Sequence, residues 1–309
     1  MIAILGCTAS GKGALARELA PLLGAEIVSI DSMKVYRGMD VGTAKPPVAE
    51  RTAVPHHLID VADPWESFDV ARFVALADAA VDSIHRRGNP AIAVGGTMLY
   101  FKAFYEGLFE GPGADPFFRA VLRARAAELG AEMLHTELMR VDPAAASRIH
   151  PQDIRRTERA LEVFTLSGRP ITELQRQWDS GASRRSDWAW TLIVLGRDRE
   201  AASRRINERV RRMVAAGLVE EARRIWTDPR GVSRQARQAV GYSELFDHFM
   251  GKLTLEEAIE RIKIDSRQLA KHQRTWLRRV AGAHRIELAA DEESTNRVRE
   301  VLKMLESAP

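Results

Sequence analysis

The sequence predicts an α/β fold: a parallel sheet of the phosphate-loop NTPase type with helices on both faces, into which an all-helical domain is inserted. Three observations predict it. Residues Gly6-Cys7-Thr8-Ala9-Ser10-Gly11-Lys12 spell the G-x-x-x-x-G-K pattern between an apolar run and a helix-like run. Strand-like and helix-like runs then alternate up to about residue 107, the order of a parallel sheet. From Gly111 to Ser186 no strand-like run occurs, and an apolar strand pattern resumes only at Trp190.

Each element has its own signal. Ile2-Ala3-Ile4-Leu5 is a short buried strand. Ala14 to Leu19 has an apolar i, i+4 pair and reads as a helix. Between them, glycines let the backbone wrap a phosphate with its N–H groups, the helix N-terminus adds partial positive charge, and Lys12 adds a full one. Three fixed residues arise by chance about 0.1 times in a chain this long, and the strand and helix flanks lower that further. The position after Lys12 departs from the pattern. Ser or Thr there ligates Mg²⁺, and this chain has Gly13, which spares anion binding and weakens the case for a metal ligand.

Glu26 to Ile30 is a second strand, ending at Asp31-Ser32. Phe73, Leu76, Ala77, Ala80 and Ile84 mark one face of a helix that stops near Gly88. Ala91 to Val94 is a third strand, ending at Gly95-Gly96-Thr97. Ligands bind at the carboxyl ends of parallel strands, so the loop, Asp31-Ser32 and Gly95–Thr97 converge on one predicted crevice. Gly111 to Pro116 is a break. Leu122, Ala126 and Leu129 suit one helix of the insertion, and residues from Arg159 to Leu166 suit another, closed by Ser167-Gly168-Arg169-Pro170. Trp190 to Leu195 is a fourth strand and Arg285 to Leu288 a last one. The predicted organisation is a core of residues 1–111 and 187–309 around a helical insertion, 112–186.

The chain has 309 residues with ordinary hydrophobic content, 45%, and no apolar run near the roughly 18 residues of a membrane span. The first strand starts at residue 2, and the single cysteine, Cys7, allows no intrachain disulfide. These features predict a cytoplasmic protein. Net charge is only +4, but arginines cluster at 155–156, 184–185, 204–205, 211–212 and 278–279. Any one cluster reads as a solvated helix face. Five of them beside a phosphate loop predict a polyanionic partner.

Longer stretches carry a resemblance. Asp31-Ser32-Met33-Lys34-Val35-Tyr36 through to Lys45-Pro46, Pro55 to Asp60, Val94 to Tyr100, Gln238-Ala239-Val240-Gly241-Tyr242 and Arg267 to Arg278, in this order, resemble bacterial tRNA dimethylallyltransferases across nearly the whole chain. The resemblance implies transfer of a dimethylallyl group from dimethylallyl diphosphate to N6 of the adenosine 3′ to the anticodon. The loop Gly6 to Gly13 would hold the donor's diphosphate, with Mg²⁺ as the neutralising ion. Cys7, Gly13 and Lys34 depart from the family's usual residues.

A base that takes the amine proton as the C–N bond forms assists a poor nucleophile of this kind. Asp31 is that candidate base, or else it holds a metal ion through the ion's bound water, as in many phosphate-loop enzymes. Thr97 bonds the diphosphate or the amine, or else caps the helix that follows it. Lys12 neutralises the leaving group. The resemblance adds Arg209 to it, a position that otherwise reads as a surface arginine. It also gives tRNA contacts at Asp31, Ser32, Met33 and Lys34, at Arg155, Arg156, Thr157, Glu158 and Arg159, at Gln238 to Tyr242, and at Lys271 and Arg274. Trp276 and Leu277 read as core. The expected partners are the tRNA anticodon stem-loop and dimethylallyl diphosphate, the expected state is a monomer, and no metal ligand set is assigned. The rivals are an adenylate isopentenyltransferase, a phosphate-loop kinase and a non-catalytic RNA-binding protein.

Overall fold

The computed structural model describes residues 1–178, 183–185, 187–288 and 294–306. The chain divides into two compact units, Met1–Tyr105 with Arg185–Pro309, and Glu106–Arg184. The expected end of the insertion, Ser186, lies outside the described residues.

In the first unit the elements run β1 (Ile2–Gly6), α1 (Lys12–Leu23), β2 (Glu26–Ile30), α2 (Val48–Ala53), β3 (His56–His57), α3 (Val70–Arg86), β4 (Ala91–Gly95) and α4 (Met98–Glu106). The second unit holds α5 (Pro116–Leu129), α6 (Ala131–Val141), α7 (Pro143–Ala146), α8 (Ile154–Ser167), α9 (Ile171–Leu174) and a 3₁₀ turn at Gln175–Trp178. The first unit then resumes with β5 (Thr191–Arg197), α10 (Arg199–Ala215), α11 (Leu218–Trp226), α12 (Arg234–Arg237), α13 (Tyr242–Phe249), α14 (Leu255–Leu277), β6 (His284–Leu288) and α15 (Ser294–Glu306).

The described strands form one parallel sheet in the order β3-β2-β4-β1-β5-β6. Every residue of β1 and of β2 is buried, which requires helices over both faces. On one face Ile2, Ile4, Ile27 and Ile92 pack with Leu15 and Leu19 of α1 and Val301 of α15. The alternate residues, Ala3, Leu5, Val28 and Ile30, are as deeply buried on the other. Strand β3 has no sequence signal, since it is two histidines long and pairs only with Ile27 and Val28.

Some expected faces shift. On α3, Leu76 is exposed while Phe73, Val74, Ala77, Val81 and Ile84 are buried. In the second unit Leu129 and Leu166 are exposed, and the core is Leu122, Ala126, Leu134, Leu138, Leu161 and Val163. Its helices begin where aspartates accept backbone N–H groups: Asp115 from Phe118, Asp142 from Ala145 and Asp153 from Arg156. The second unit starts ahead of the Gly111–Pro116 break for a physical reason. Trp178 Nε1 donates to Gly107 O at 2.8 Å, Phe109 packs edge-on against Trp178, and Arg159 donates to the carbonyls of Pro112 and Gly113. No helix among the described residues is long and apolar enough to cross a membrane.

Candidate functional site

The carboxyl ends of β2, β4 and β1 lie side by side, because β4 pairs with both of the others. They open on a cavity of ≈ 340 Å³. The phosphate loop forms one wall. A Cβ on Gly6 would stand 2.5 Å from Ser10 Oγ, so the tight return needs glycine there. Ala9 at φ 61° and Gly11 at φ 97° adopt the left-handed conformation that wraps the loop over the start of α1. The side chains of Thr8 and Lys12 line the cavity, as do Ala9, Gly11 and Gly13. Gly6, Cys7 and Ser10, expected among the phosphate contacts, do not. Cys7 packs against Ile206 of α10 and Ala270 of α14, and Ser10 is 1% exposed, because the wrap turns these side chains inward.

Among the described residues six cationic side chains line the cavity: Lys12, Arg17, Lys34, Arg205, Arg209 and Arg212. Asp31 is the single carboxylate among the described lining residues. Burial, then the charges of Lys34 and Arg209, outweigh the pull of Asp31 and hold the Lys12 ammonium down at about 8. Burial also lowers Lys34 and Arg209, with Asp31 opposing in both cases. Such an enclosure of like charges is completed by an anion. Arg209 Nη1 stands 3.5 Å from Thr8 Oγ1, and Arg205 Nε donates to Ala9 O at 3.3 Å. Arg209 therefore faces the loop and does not sit on the surface. Arg205 and Arg17 are site residues that the sequence reading left in a charge cluster and on a helix face.

Asp31 is held in an Asx turn. Its Oδ1 accepts from Met33 N at 2.9 Å and Lys34 N at 3.2 Å. Its Oδ2 has no hydrogen-bond partner among the described residues. Thr97, at the end of the neighbouring strand, does not cap α4 with its side chain. Its Oγ1 accepts from Ser32 N at 3.0 Å and donates to Ser32 Oγ at 3.3 Å, which ties the β4 end to the turn that carries Asp31.

The loop from Asp31 to Pro46 is fixed at two points, an ion-pair cluster around Lys45 and a buried carboxylate, Glu221. Lys45 Nζ, its side chain 1% exposed, bonds Asp40 and Asp60 at 2.6 Å each and the Tyr36 carbonyl. Glu221 of α11 accepts from the backbone N–H groups of Asp40, Val41 and Gly42 at 2.8 to 3.0 Å, and from Tyr242 Oη. A Cβ on Gly42 would meet the Tyr242 ring at 2.5 Å.

The residues expected to contact RNA differ in exposure. Tyr242 is buried against the loop, Ala239, Val240 and Gly241 line the cavity, and Gln238 is exposed. In the second unit Thr157 and Glu158 are buried, and Glu158 is bonded by Arg123 in two places, because α8 turns this face to its own core. Arg159 is committed to Glu162. Arg155 and Arg156 are exposed, as is Lys271; Arg274 is half-buried. Trp276 is 37% exposed and not core, while Leu277 is buried.

The IPP transferase family model matches residues 34–280. A tRNA dimethylallyltransferase of Geobacillus kaustophilus is 48% identical over 277 residues, covering 89% of this chain and 86% of that protein. One from Geobacillus thermodenitrificans is 44% identical over 99% of this chain and 96% of its own length. The full-length tRNA isopentenylpyrophosphate transferase of Bacillus halodurans superposes with a TM-score of 0.72 at 39% identity, covering 99% of this chain and 95% of that one. A eukaryotic dimethylallyltransferase, solved while acting on tRNA, gives 0.79 at 25% identity over 100% of this chain and 80% of its own. With a family match spanning most of its length and relatives near half identical, the chain belongs to the IPP transferase family.

Proposed function

We propose that this protein transfers a dimethylallyl group from dimethylallyl diphosphate to N6 of the adenosine 3′ to the anticodon of tRNA, releasing diphosphate. One observation carries the reading: Asp31, the single carboxylate among the described lining residues, shares a cavity with the phosphate loop and six cationic side chains. In the reaction the N6–C1 bond of the prenyl chain forms as the C1–O bond breaks. The leaving diphosphate takes the bonding electrons and the N6 proton passes to Asp31. Lys12 and Arg209 stabilise the charge that collects on the departing oxygen. Apolar cavity residues, among them Ile59, Val240 and Leu269, suit the hydrocarbon end of the donor. Arg155, Arg156, Lys271 and Gln238 are the exposed tRNA contacts, and the target base leaves its stack to enter the cavity. The protein acts in the cytoplasm as a monomer.

Mg²⁺ fits as an ion carried in on the diphosphate. Among the described residues no group of three or more His, Cys, Asp or Glu is arranged to cage a metal, and Mg²⁺ commonly keeps waters and leans on substrate phosphates. Asp31 and the Thr8 hydroxyl are the protein oxygens that would hold it. When bound, it neutralises part of the diphosphate charge. Because Gly13 offers no hydroxyl, Gly13→Thr should lower the Mg²⁺ concentration for half-maximal turnover. The new Cβ would stand 3.3 Å from Arg17 Nη1, a flexible end that can yield. A Mg²⁺ titration checks this, and superimposable curves would remove the hydroxyl from the metal's surroundings.

Donor affinity should also depend on pH through Lys12. Its charge is present below about 8 and lost above it in the empty site. Calorimetric binding of dimethylallyl diphosphate should therefore weaken from pH 7 to pH 9 more in the wild type than in Lys12→Ala. Equal changes in both proteins would contradict the assignment. The reading as a whole is tested by incubating the protein with labelled dimethylallyl diphosphate and, separately, tRNA, AMP and ATP. Label should pass to tRNA. Label on AMP or ATP would mark a free-nucleotide prenyltransferase, and no transfer at all would reject the reaction.

A further inference from the structure

We propose that Gln273 of α14 is a positioning residue that locks the phosphate loop to the end of β4, so that the diphosphate end and the base end of the site stay in register. The inference rests on the reaction proposed above.

The geometry is specific to a carboxamide. Gln273 Oε1 accepts from Thr8 N at 2.8 Å, and Gln273 Nε2 donates to Gly96 O at 2.9 Å. One side chain thus satisfies a backbone donor on the loop and a backbone acceptor on the next strand end. A flipped amide would lose both bonds, since oxygen would face a carbonyl and nitrogen an N–H. The approach is close: a Cβ on Gly96 would stand 2.6 Å from Gln273 Nε2 and 2.9 Å from Gly6 O. Glycine at 96 is the condition for the three segments to meet.

The connection continues. Gly96 precedes Thr97, whose hydroxyl holds Ser32 N, the residue after Asp31. A line of hydrogen bonds therefore runs from Thr8, through Gln273, Gly96 and Thr97, to the turn that presents the base. Beyond β1, the sheet gives the loop no ladder of its own, and the pairing of β4 with β1 ends at Leu5 and Gly95. Gln273 supplies a link past that point. A misplacement of the donor relative to the base by a fraction of an ångström is costly in a displacement that needs alignment.

The test uses the full chain. Gln273→Met keeps the volume and removes both hydrogen bonds. Its binding of inorganic diphosphate should weaken and its kcat should fall, together lowering kcat/KM for the donor at least about tenfold, the scale of two lost hydrogen bonds. Its affinity for tRNA should stay at the wild-type value. Gln273→Glu keeps the acceptor for Thr8 N and sets an oxygen against the Gly96 carbonyl. It should retain part of the diphosphate affinity while losing kcat. A cycle of Gln273→Met with Thr97→Val, read on kcat, should be less than additive, because both break the same line. Wild-type diphosphate binding in Gln273→Met, or an additive cycle, would overturn the proposal. Failure of the wild-type protein to prenylate tRNA would instead reject the reaction, and the diphosphate-binding arm would still report on Gln273.

Discussion

Asp31→Ala is expected to lower prenyl transfer to tRNA by roughly 10²–10⁴, the usual worth of a positioned general base, while leaving tRNA binding close to wild type. The exocyclic amine of adenine is a weak nucleophile because its lone pair is shared with the ring, so removing its proton as the new bond forms lowers the barrier. The turn that presents Asp31 constrains only one of its oxygens, through Met33 N and Lys34 N. Asp31→Asn separates the two duties of the side chain. The amide oxygen still accepts those two bonds, so the turn persists and the base is lost. Single-turnover rates with saturating donor and tRNA check the prediction. An alanine variant within a few-fold of wild type would remove Asp31 from proton transfer.

Arg209→Ala should cost about 10²–10³ in kcat, the loss seen when one donor to a developing anion is removed. The guanidinium stands beside Thr8 of the phosphate loop and close enough to Lys12 for their charges to repel. That arrangement is unfavourable when the site is empty and becomes favourable as charge collects on the diphosphate. The effect should therefore fall on kcat more than on donor binding. Arg209→Lys restores charge without the planar fork and should recover only part of the rate. Rapid-quench measurement of the chemical step distinguishes the two, and an unchanged rate in Arg209→Ala would contradict the role.

The strand–loop–helix around Lys12 and the strand ends at Asp31 and Thr97 were legible because their signals are local: an apolar run, a glycine-rich turn, a polar residue where a strand stops. What closes the site was not local. Gln273 meets the loop across 265 residues of sequence, and no periodicity announces such a contact. Nothing local in the sequence marks Glu221, yet it is 7% exposed and holds three backbone N–H groups of a distant loop. Tyr242 and Glu158 read as RNA contacts from a resemblance between stretches, because a matched stretch does not say which of its side chains point inward. Arg17 was the findable omission. It lies on α1 five residues after Lys12, close enough along the helix to reach the first turn, and it lines the cavity.

The central claim is that a single cavity joins a prenyl diphosphate to a tRNA adenosine. Incubating the protein with dimethylallyl diphosphate and unmodified tRNA, digesting to nucleosides and mapping the product by mass spectrometry tests it most directly. The account predicts one added C₅H₈ unit on N6 of the adenosine 3′ to the anticodon, present with the wild type and nearly absent with Asp31→Ala. Addition at another nucleotide, or none with an intact donor-binding site, would contradict it.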